Sequence, residues 1–190
     1  MTEKEKMQKG LLYSAADPEL VRERQECKRL CREYNSLACL DDRAADEILK
    51  KLFGKIGSSF RVEPDFWCDY GYGISAGENF YMNHGCVILD GGGIRFGDNV
   101  QIGPQCGFYT AGHPIDEKER NSGLEYAKPI EIGDSVWIGG GVRVMPGVKI
   151  GDGAVIGGGS VVTRDIPPYV VAVGNPCRVV RELREKENEK

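Results

Sequence analysis

Ile132, Ile138, Val144, Ile150, Ile156 and Val162 recur at every sixth position without a slip. Glycine follows four of them, at Gly133, Gly139, Gly151 and Gly157. Four residues after each of the first five stands a second small or branched side chain: Val136, Val142, Val148, Ala154 and Ser160. An α-helix of about 3.6 residues per turn cannot keep every sixth residue on one face, and two-residue alternation leaves the glycines unexplained. A flat-sided solenoid explains both. Each six-residue unit is one short strand and a turn, and three units close a triangular coil of about eighteen residues. The aliphatic side chain then points inward on every strand and stacks on its neighbours above and below. Glycine relieves the turn, where positive φ is cheap only without a Cβ. One coil cannot bury its own core, so several must stack.

A weaker form of the pattern runs upstream. Ala76, Met82 and Ile88 hold one register and Phe96 and Ile102 another, with Gly91-Gly92-Gly93 placed to absorb the two-residue phase change. The repeat breaks once, over residues 109–129, where Thr110-Ala111-Gly112-His113-Pro114 leads into the charged run Asp116 to Arg120. Long excursions from a rigid scaffold are usually functional or disordered.

Three regions follow: a helical segment 1–57, a β-solenoid 58–174 carrying the inserted loop 109–129, and a C-terminal segment 175–190. In the first, Asp17-Pro18 sets a capping carboxylate before a proline at the first helical position. Leu20, Cys27, Leu30, Cys31 and Tyr34 then fall near helical spacing up to Asn35-Ser36. A second helix, about Asp42 to Phe53, carries Ala45, Ile48, Leu49, Leu52 and Phe53 as an apolar stripe. Gly174-Asn175-Pro176 stops the solenoid, and the charged stretch from Arg178 to Lys190 reads as a terminal helix able to cap its open end.

The 190 residues suit one domain with a small appendage. Twenty-five Lys and Arg against 29 Asp and Glu leave a net charge of −4, a poor basis for tracking a nucleic-acid backbone. No run approaches the roughly 18 apolar residues of a membrane helix, and the charged stretch Met1 to Gly10 does not resemble a signal peptide. The seven cysteines are an odd number with no CxxC pair. They read as reduced, small apolar side chains, which points to a cytoplasmic protein. Cys27 and Cys31 share a helical face, but no second ligand pair stands near them in sequence, so no zinc site is expected.

Only two histidines are present. An imidazole can take a proton from a hydroxyl near neutral pH. His113 opens the insert, with Pro114 restricting its backbone to an extended form; His84, between Asn83 and Gly85, reads as a bystander. There is no GxSxG nucleophile motif and no GxxxxGK[ST] phosphate loop, and Gly91-Gly92-Gly93 lacks the βαβ context of a dinucleotide fingerprint. A general base without a covalent nucleophile suggests direct transfer between two bound substrates. Thr163, Arg164, Arg178 and Arg181 are either ordinary solvated surface or contacts to the phosphates of a carrier lying along the solenoid.

At these residues the chain resembles the hexapeptide acyltransferases and, more narrowly, the maltose and galactoside O-acetyltransferases. The matching runs are Gly10-Leu11-Leu12-Tyr13 with Asp17, Cys68-Asp69-Tyr70-Gly71-Tyr72, Asn79-Phe80-Tyr81 and His113-Pro114-Ile115-Asp116. Arg120-Asn121-Ser122-Gly123, Val136-Trp137-Ile138-Gly139, Val162-Thr163-Arg164-Asp165-Ile166-Pro167 and Gly174-Asn175-Pro176 complete the set. The resemblance implies a mainly β fold, a left-handed parallel β-helix with N-terminal helices and a C-terminal helix. That hand departs from the usual right-handed crossover.

It also implies an O-acetyltransferase that uses acetyl-coenzyme A as co-substrate, requires no metal, and works as a homotrimer with active sites between subunits. His113 matches the family's base, which deprotonates a sugar hydroxyl as it attacks the acetyl thioester. Asp17, Asp69 and Asn83 match acceptor contacts, and Glu125 falls where it could join them; Asp17 can also act as a helix cap. Trp137, Gly140, Gly158, Thr163, Arg164, Arg178 and Arg181 match positions lining the coenzyme channel, with a backbone N–H near Gly140 suited to an oxyanion. Galactoside-type members carry serine at Gly140 and an acidic residue at Gly91, and Arg164 replaces a family lysine. Glu125 and the Cys68–Tyr72 run favour a maltose or glucose acceptor. Three rival readings stand beside this one: a three-histidine zinc enzyme on the same helix, which two histidines exclude; a non-catalytic trimeric scaffold; and the same chemistry on a galactoside, an amino sugar or a xenobiotic.

Overall fold

The computed structural model describes residues 1–183. Three parallel sheets form the sides of a prism. The first stacks Ile74–Ala76, Ile94–Phe96, Ile130–Ile132 and Lys149–Ile150. The second runs through Phe60–Val62, Phe80–Met82, Gln101–Ile102, Trp137–Ile138, Val155–Ile156 and Val170–Val173. The third contains Trp67–Cys68, Val87–Leu89, Gly107–Tyr109, Arg143–Val144 and Val161–Val162.

The register bears out the six-residue spacing. Ile132 pairs with Ile150, Ile138 with Ile156 and Val144 with Val162, so each coil advances by eighteen residues. Upstream, Ala76 pairs with Phe96 and Met82 with Ile102, so the coil there has twenty residues. The two extra residues sit where Asp90 to Gly93 turn from the third sheet to the first, the phase change expected at the triple glycine. Every residue of the main stripe is at least 98 % buried, and Val136, Val142, Val148, Ala154 and Ser160 are buried at the corners between them. At about 25 cal/mol per Å² of apolar surface, this continuous stack supplies the main driving force for folding.

Three helices cover one end: α1, Glu3–Gln8; α2, Pro18–Leu37; and α3, Asp42–Leu52. Asp17 caps α2, its carboxylate accepting from the Glu19 N–H at 2.9 Å. The helix runs through Asn35-Ser36 instead of ending there. The Asn35 amide is occupied outside the helix, donating to the Phe66 carbonyl at 2.9 Å and accepting from the Phe66 N–H at 3.0 Å. Its side chain therefore latches α2 to the first coil and does not compete for helix backbone.

The C-terminal helix expected from Arg178 is corrected in the described residues. Arg178–Glu182 is a strand, antiparallel to Val170–Val173. The last parallel strand leaves a row of backbone donors and acceptors that a strand can satisfy and a helix cannot, and Val179 and Val180 suit that role. The remainder of the expected helix, residues 184–190, lies outside the described residues. No helix among the described residues is long and apolar enough to cross a membrane.

Candidate active site

The insert leaves the prism at the corner between the third and first sheets and doubles back as a hairpin. Ala111–Gly112 pairs antiparallel with Leu124–Ala127, and the short α4, Glu117–Asn121, forms the tip with Asp116 as its cap. Leu124–Ala127 also pairs with Tyr13–Ser14, Tyr13 facing Glu125 and Ser14 facing Leu124. The N-terminal segment and the insert thus share a three-stranded sheet. Under it lies a second small core of Met7, Tyr13, Leu20, Tyr70 and Ala127.

This sheet assembles most of the expected acceptor residues. His113 follows the first hairpin strand and is 56 % exposed. Its Nδ1 lies 3.3 Å from the Leu124 carbonyl oxygen and its Nε2 lies 3.9 Å from Glu125 Oε1. A carbonyl can only accept, so that contact calls for the proton on Nδ1 and leaves the Nε2 lone pair free. Tyr13 donates its hydroxyl to Glu125 Oε2 at 2.8 Å. Burial and the Glu125 carboxylate push the Tyr13 phenol well above its ordinary range, so it stays a donor.

Asp69 stands nearby with its carboxyl raised, chiefly by burial and with Arg24 opposing, while the Glu125 charge raises it further. Tyr70, pushed up to about 12 by burial, accepts from Arg24 Nη1 at 2.6 Å. Asp17 caps α2 three residues beyond Ser14. Tyr13, Tyr70 and Arg24 had no assigned role in the sequence reading; the first two stood only inside matched motifs. Tyr13 lies 112 positions from the carboxylate it binds, a pairing that no local pattern reports.

Asn83 is not with them. It lies at the corner between the second and third sheets, its Oδ1 accepting from the His84 N–H at 2.7 Å and lying 2.8 Å from His84 Nδ1. Gly140 and Gly158 stack farther along the same corner, where the Gly159 N–H donates to the Gly140 carbonyl at 2.8 Å. Among the described residues the Gly140 N–H has no hydrogen-bond partner, a free donor suited to a developing oxyanion. Trp137 lies on the outer face of the second sheet between Gln101 and Val155, 57 % exposed. Thr163 and Arg164 are exposed at the insert's corner, immediately after the last strand of the third sheet, and Arg178 and Arg181 are exposed on the terminal edge strand. One chain therefore carries its histidine and its paired glycines on two different corners.

Residues 6–57 match the maltose acetyltransferase hexapeptide capping motif, and residues 129–164 match the bacterial transferase hexapeptide family of six repeats. A maltose O-acetyltransferase from Clostridium difficile 630 is similar at 54 % identity and a TM-score of 0.96, over 97 % of this chain and 99 % of that one. A galactoside acetyltransferase in complex with coenzyme A is similar at 40 % identity and a TM-score of 0.94, over 98 % and 94 %. A hexapeptide-repeat acetyltransferase of Vibrio cholerae O1 biovar eltor, complexed with acetyl-coenzyme A, shows 39 % identity and a TM-score of 0.90, over 97 % and 100 %. The stacked coils are those of the left-handed β-helix of this fold. With the capping motif, the repeats and the whole-chain likeness in agreement, the chain belongs to the hexapeptide-repeat acetyltransferases of the maltose and galactoside O-acetyltransferase type.

Proposed function

We propose that the chain transfers acetyl from acetyl-coenzyme A to a hydroxyl of a maltose- or glucose-type sugar, with His113 as the general base. The observation that carries this reading is the His113 imidazole, exposed, with Nδ1 against a carbonyl and Nε2 open beside Glu125. Nε2 takes the proton of the sugar hydroxyl as its oxygen bonds to the thioester carbonyl carbon. The imidazolium so formed lies within Coulomb reach of the Glu125 carboxylate. Collapse of the tetrahedral intermediate breaks the carbon–sulfur bond, and the proton passes from His113 to the departing coenzyme thiolate. Asp17, Asp69 and Glu125, with the Tyr13 phenol behind Glu125, offer acceptors for the other sugar hydroxyls.

Coenzyme binding begins at the other corner: Trp137 as an exposed platform, the Gly140 N–H as an oxyanion donor and Gly158 leaving room beside it, while Asn83, on the same edge, is the acceptor contact that this corner supplies. Thr163 and Arg164, at the insert's corner, and Arg178 and Arg181, on the terminal edge strand, supply hydroxyl and positive groups for the phosphates of a carrier lying along the prism. Because His113 and the paired glycines occupy different corners, a threefold assembly of prisms completes the site, one subunit's His113 facing a neighbour's glycine corner. A monomer in sedimentation or light scattering at micromolar concentration would remove that part of the reading.

The test is thiol release from acetyl-coenzyme A with maltose, glucose, a galactoside, glucosamine and chloramphenicol, for wild type and His113→Ala. Release with glucose or maltose that falls by about 10²–10⁴ in the variant supports the assignment. Histidine-dependent release only with the galactoside, the amino sugar or the antibiotic replaces the acceptor. Acetyl-coenzyme A binding without any release points to an acceptor outside the panel, and no binding at all leaves a trimeric scaffold. Equal loss of coenzyme binding and rate in His113→Ala would overturn the role given to the histidine.

A further inference from the structure

We propose that Cys27, Cys31 and Cys68 form a three-thiolate binding site for cuprous copper, separate from the acetyl-transfer chemistry. Cys27 and Cys31 stand one helical turn apart on α2, a pair in which the sequence reading found no further ligand. The fold supplies one from the first coil. Cys68 Sγ lies 3.5 Å from Cys27 Sγ and 3.8 Å from Cys31 Sγ, all three sulfurs lie within 4.8 Å of one another, and all three residues are buried and free of disulfides. A metal about 2.3 Å from each sulfur holds the sulfurs about 3.8–4.0 Å apart. The spacing of Cys68 Sγ from the other two sulfurs, 3.5 and 3.8 Å, lies within about half an ångström of that.

The ligand set selects among metals. Among the described residues no fourth histidine, cysteine or carboxylate joins the group, whereas structural zinc takes four ligands. Monovalent copper is soft and prefers thiolates, and with a single charge it is stable with only two or three of them. Each cysteine that coordinates releases its proton, so uptake is accompanied by proton release. Cys27 also lines a cleft of about 210 Å³ with Glu23, Glu26, Leu30, Lys51, Leu52, Tyr70 and Tyr72, which brings one of the three sulfurs near the surface. Glu23 and Glu26 there are paired with Lys4 and Arg29, and Lys51 lines the same cleft, so entry rests on access and not on charge. Buried cysteines commonly serve as small apolar fillers, but a filler role does not require three sulfurs converging from two elements with a cleft at one of them.

The experiment is an anaerobic titration of the reduced full-length chain with Cu(I) against a chromophoric Cu(I) chelator, with melting temperature followed in parallel. One copper retained per chain, thiolate-to-copper absorption in the ultraviolet and a raised melting temperature are expected. Cys27→Ala/Cys31→Ala should lose that one equivalent or bind it at least 100-fold more weakly, while Cys39→Ala, which removes the exposed thiol, should leave it unchanged. If the double alanine variant does not fold, Cys31→Val, which keeps the site filled but takes away a ligand, gives the same comparison. Equal retention by wild type and the cluster variants, no retention by wild type, or retention of zinc in preference to copper would overturn the proposal.

Discussion

The Tyr13 hydroxyl donates to Glu125 at 2.8 Å, joining the N-terminal segment to the inserted hairpin across their shared sheet. Tyr13 is 2 % exposed and packs with Met7, Leu20 and Tyr70. The phenol therefore holds one Glu125 oxygen toward the core and leaves the other toward His113. Removing the hydroxyl frees the carboxylate to rotate. Tyr13→Phe is expected to cost about 1–2 kcal/mol of stability, near the lower end for a hydrogen bond to a charged group. In the proposed reaction it should raise the KM for the sugar while the KM for acetyl-coenzyme A stays within twofold. Urea unfolding and two-substrate kinetics check the two halves separately.

Glu125→Gln isolates the charge. Glutamine keeps an oxygen for the Tyr13 hydroxyl and nearly the same volume, but nothing negative then faces His113 Nε2 at 3.9 Å. With His113 mostly exposed, solvent screening limits the attraction to about 1 kcal/mol. That corresponds to a fall of about fivefold in kcat. A fall of 10³-fold would mean that Glu125 itself handles the proton, and His113 would lose its place as base.

How much of this was legible in the sequence depends on range. The solenoid was, because the side chains of one stripe repeat at fixed spacing and neighbouring coils differ by eighteen or twenty residues except across the inserted loop, where they differ by thirty-six. Even the Gly91-Gly92-Gly93 slip was visible as a change of phase. His113 and Asp69 were found through motif matches and Glu125 by its place in the insert, and Glu125 lies beside both. What stayed hidden depends on antiparallel pairing between distant segments: Tyr13 against Glu125, and Arg178–Glu182 folding back on Val170–Val173. Asn83 was grouped with Asp17 and Asp69 as an acceptor contact, yet a single chain holds it at a different corner from His113, and only the proposed threefold assembly would bring the two together. Local pattern fixes which face a residue occupies, not which corner of a prism it shares. The terminal strand was misread as a helix because its charge suits either form, and the need to cover an exposed sheet edge appears only in three dimensions.

The glycine corner separates close packing from function. An alanine Cβ at Gly139 would lie 2.6 Å from the Gly158 backbone nitrogen and 3.0 Å from the Ile156 carbonyl oxygen. Neither backbone atom can move without opening the coil. At Gly140 the nearest atom is Pro104 Cδ at 3.2 Å, which a small shift of the ring relieves. Gly139→Ala should therefore lose about 1–3 kcal/mol, the usual scale of overpacking, and Gly140→Ala distinctly less. In the proposed function Gly140→Ala acts instead on acetyl-coenzyme A, raising its KM. Chemical denaturation of both variants orders the stability effects, and equal losses would contradict the geometry.

Asp90 gives the fold a pH dependence of unusual sign for a carboxylate. It is 1 % exposed and accepts from the N–H groups of Asp69 at 3.1 Å, Tyr70 at 2.8 Å and Gly73 at 3.0 Å. It ties together the wide turns where the coils carry twenty residues. Burial raises its pKa to about 6, the backbone donors opposing that rise and the nearby Asp69 charge adding to it. The folded chain thus binds this proton more tightly than the unfolded chain, whose aspartates titrate near 3.9. Below about pH 4 the group is protonated in both states and costs nothing. As pH rises from about 4 to 6 the unfolded chain ionises first, and stability falls by as much as about 2–3 kcal/mol before levelling off. Asp90→Asn cannot ionise, keeps an oxygen for the Asp69 and Tyr70 donors, and sets an amide against the Gly73 N–H. It should be less stable than wild type at pH 4.5 and closer to it at pH 7.5. Urea midpoints of the two proteins at both pH values measure the difference directly, and a gap that widens toward neutral pH would show that the three backbone donors outweigh burial and hold Asp90 ionised.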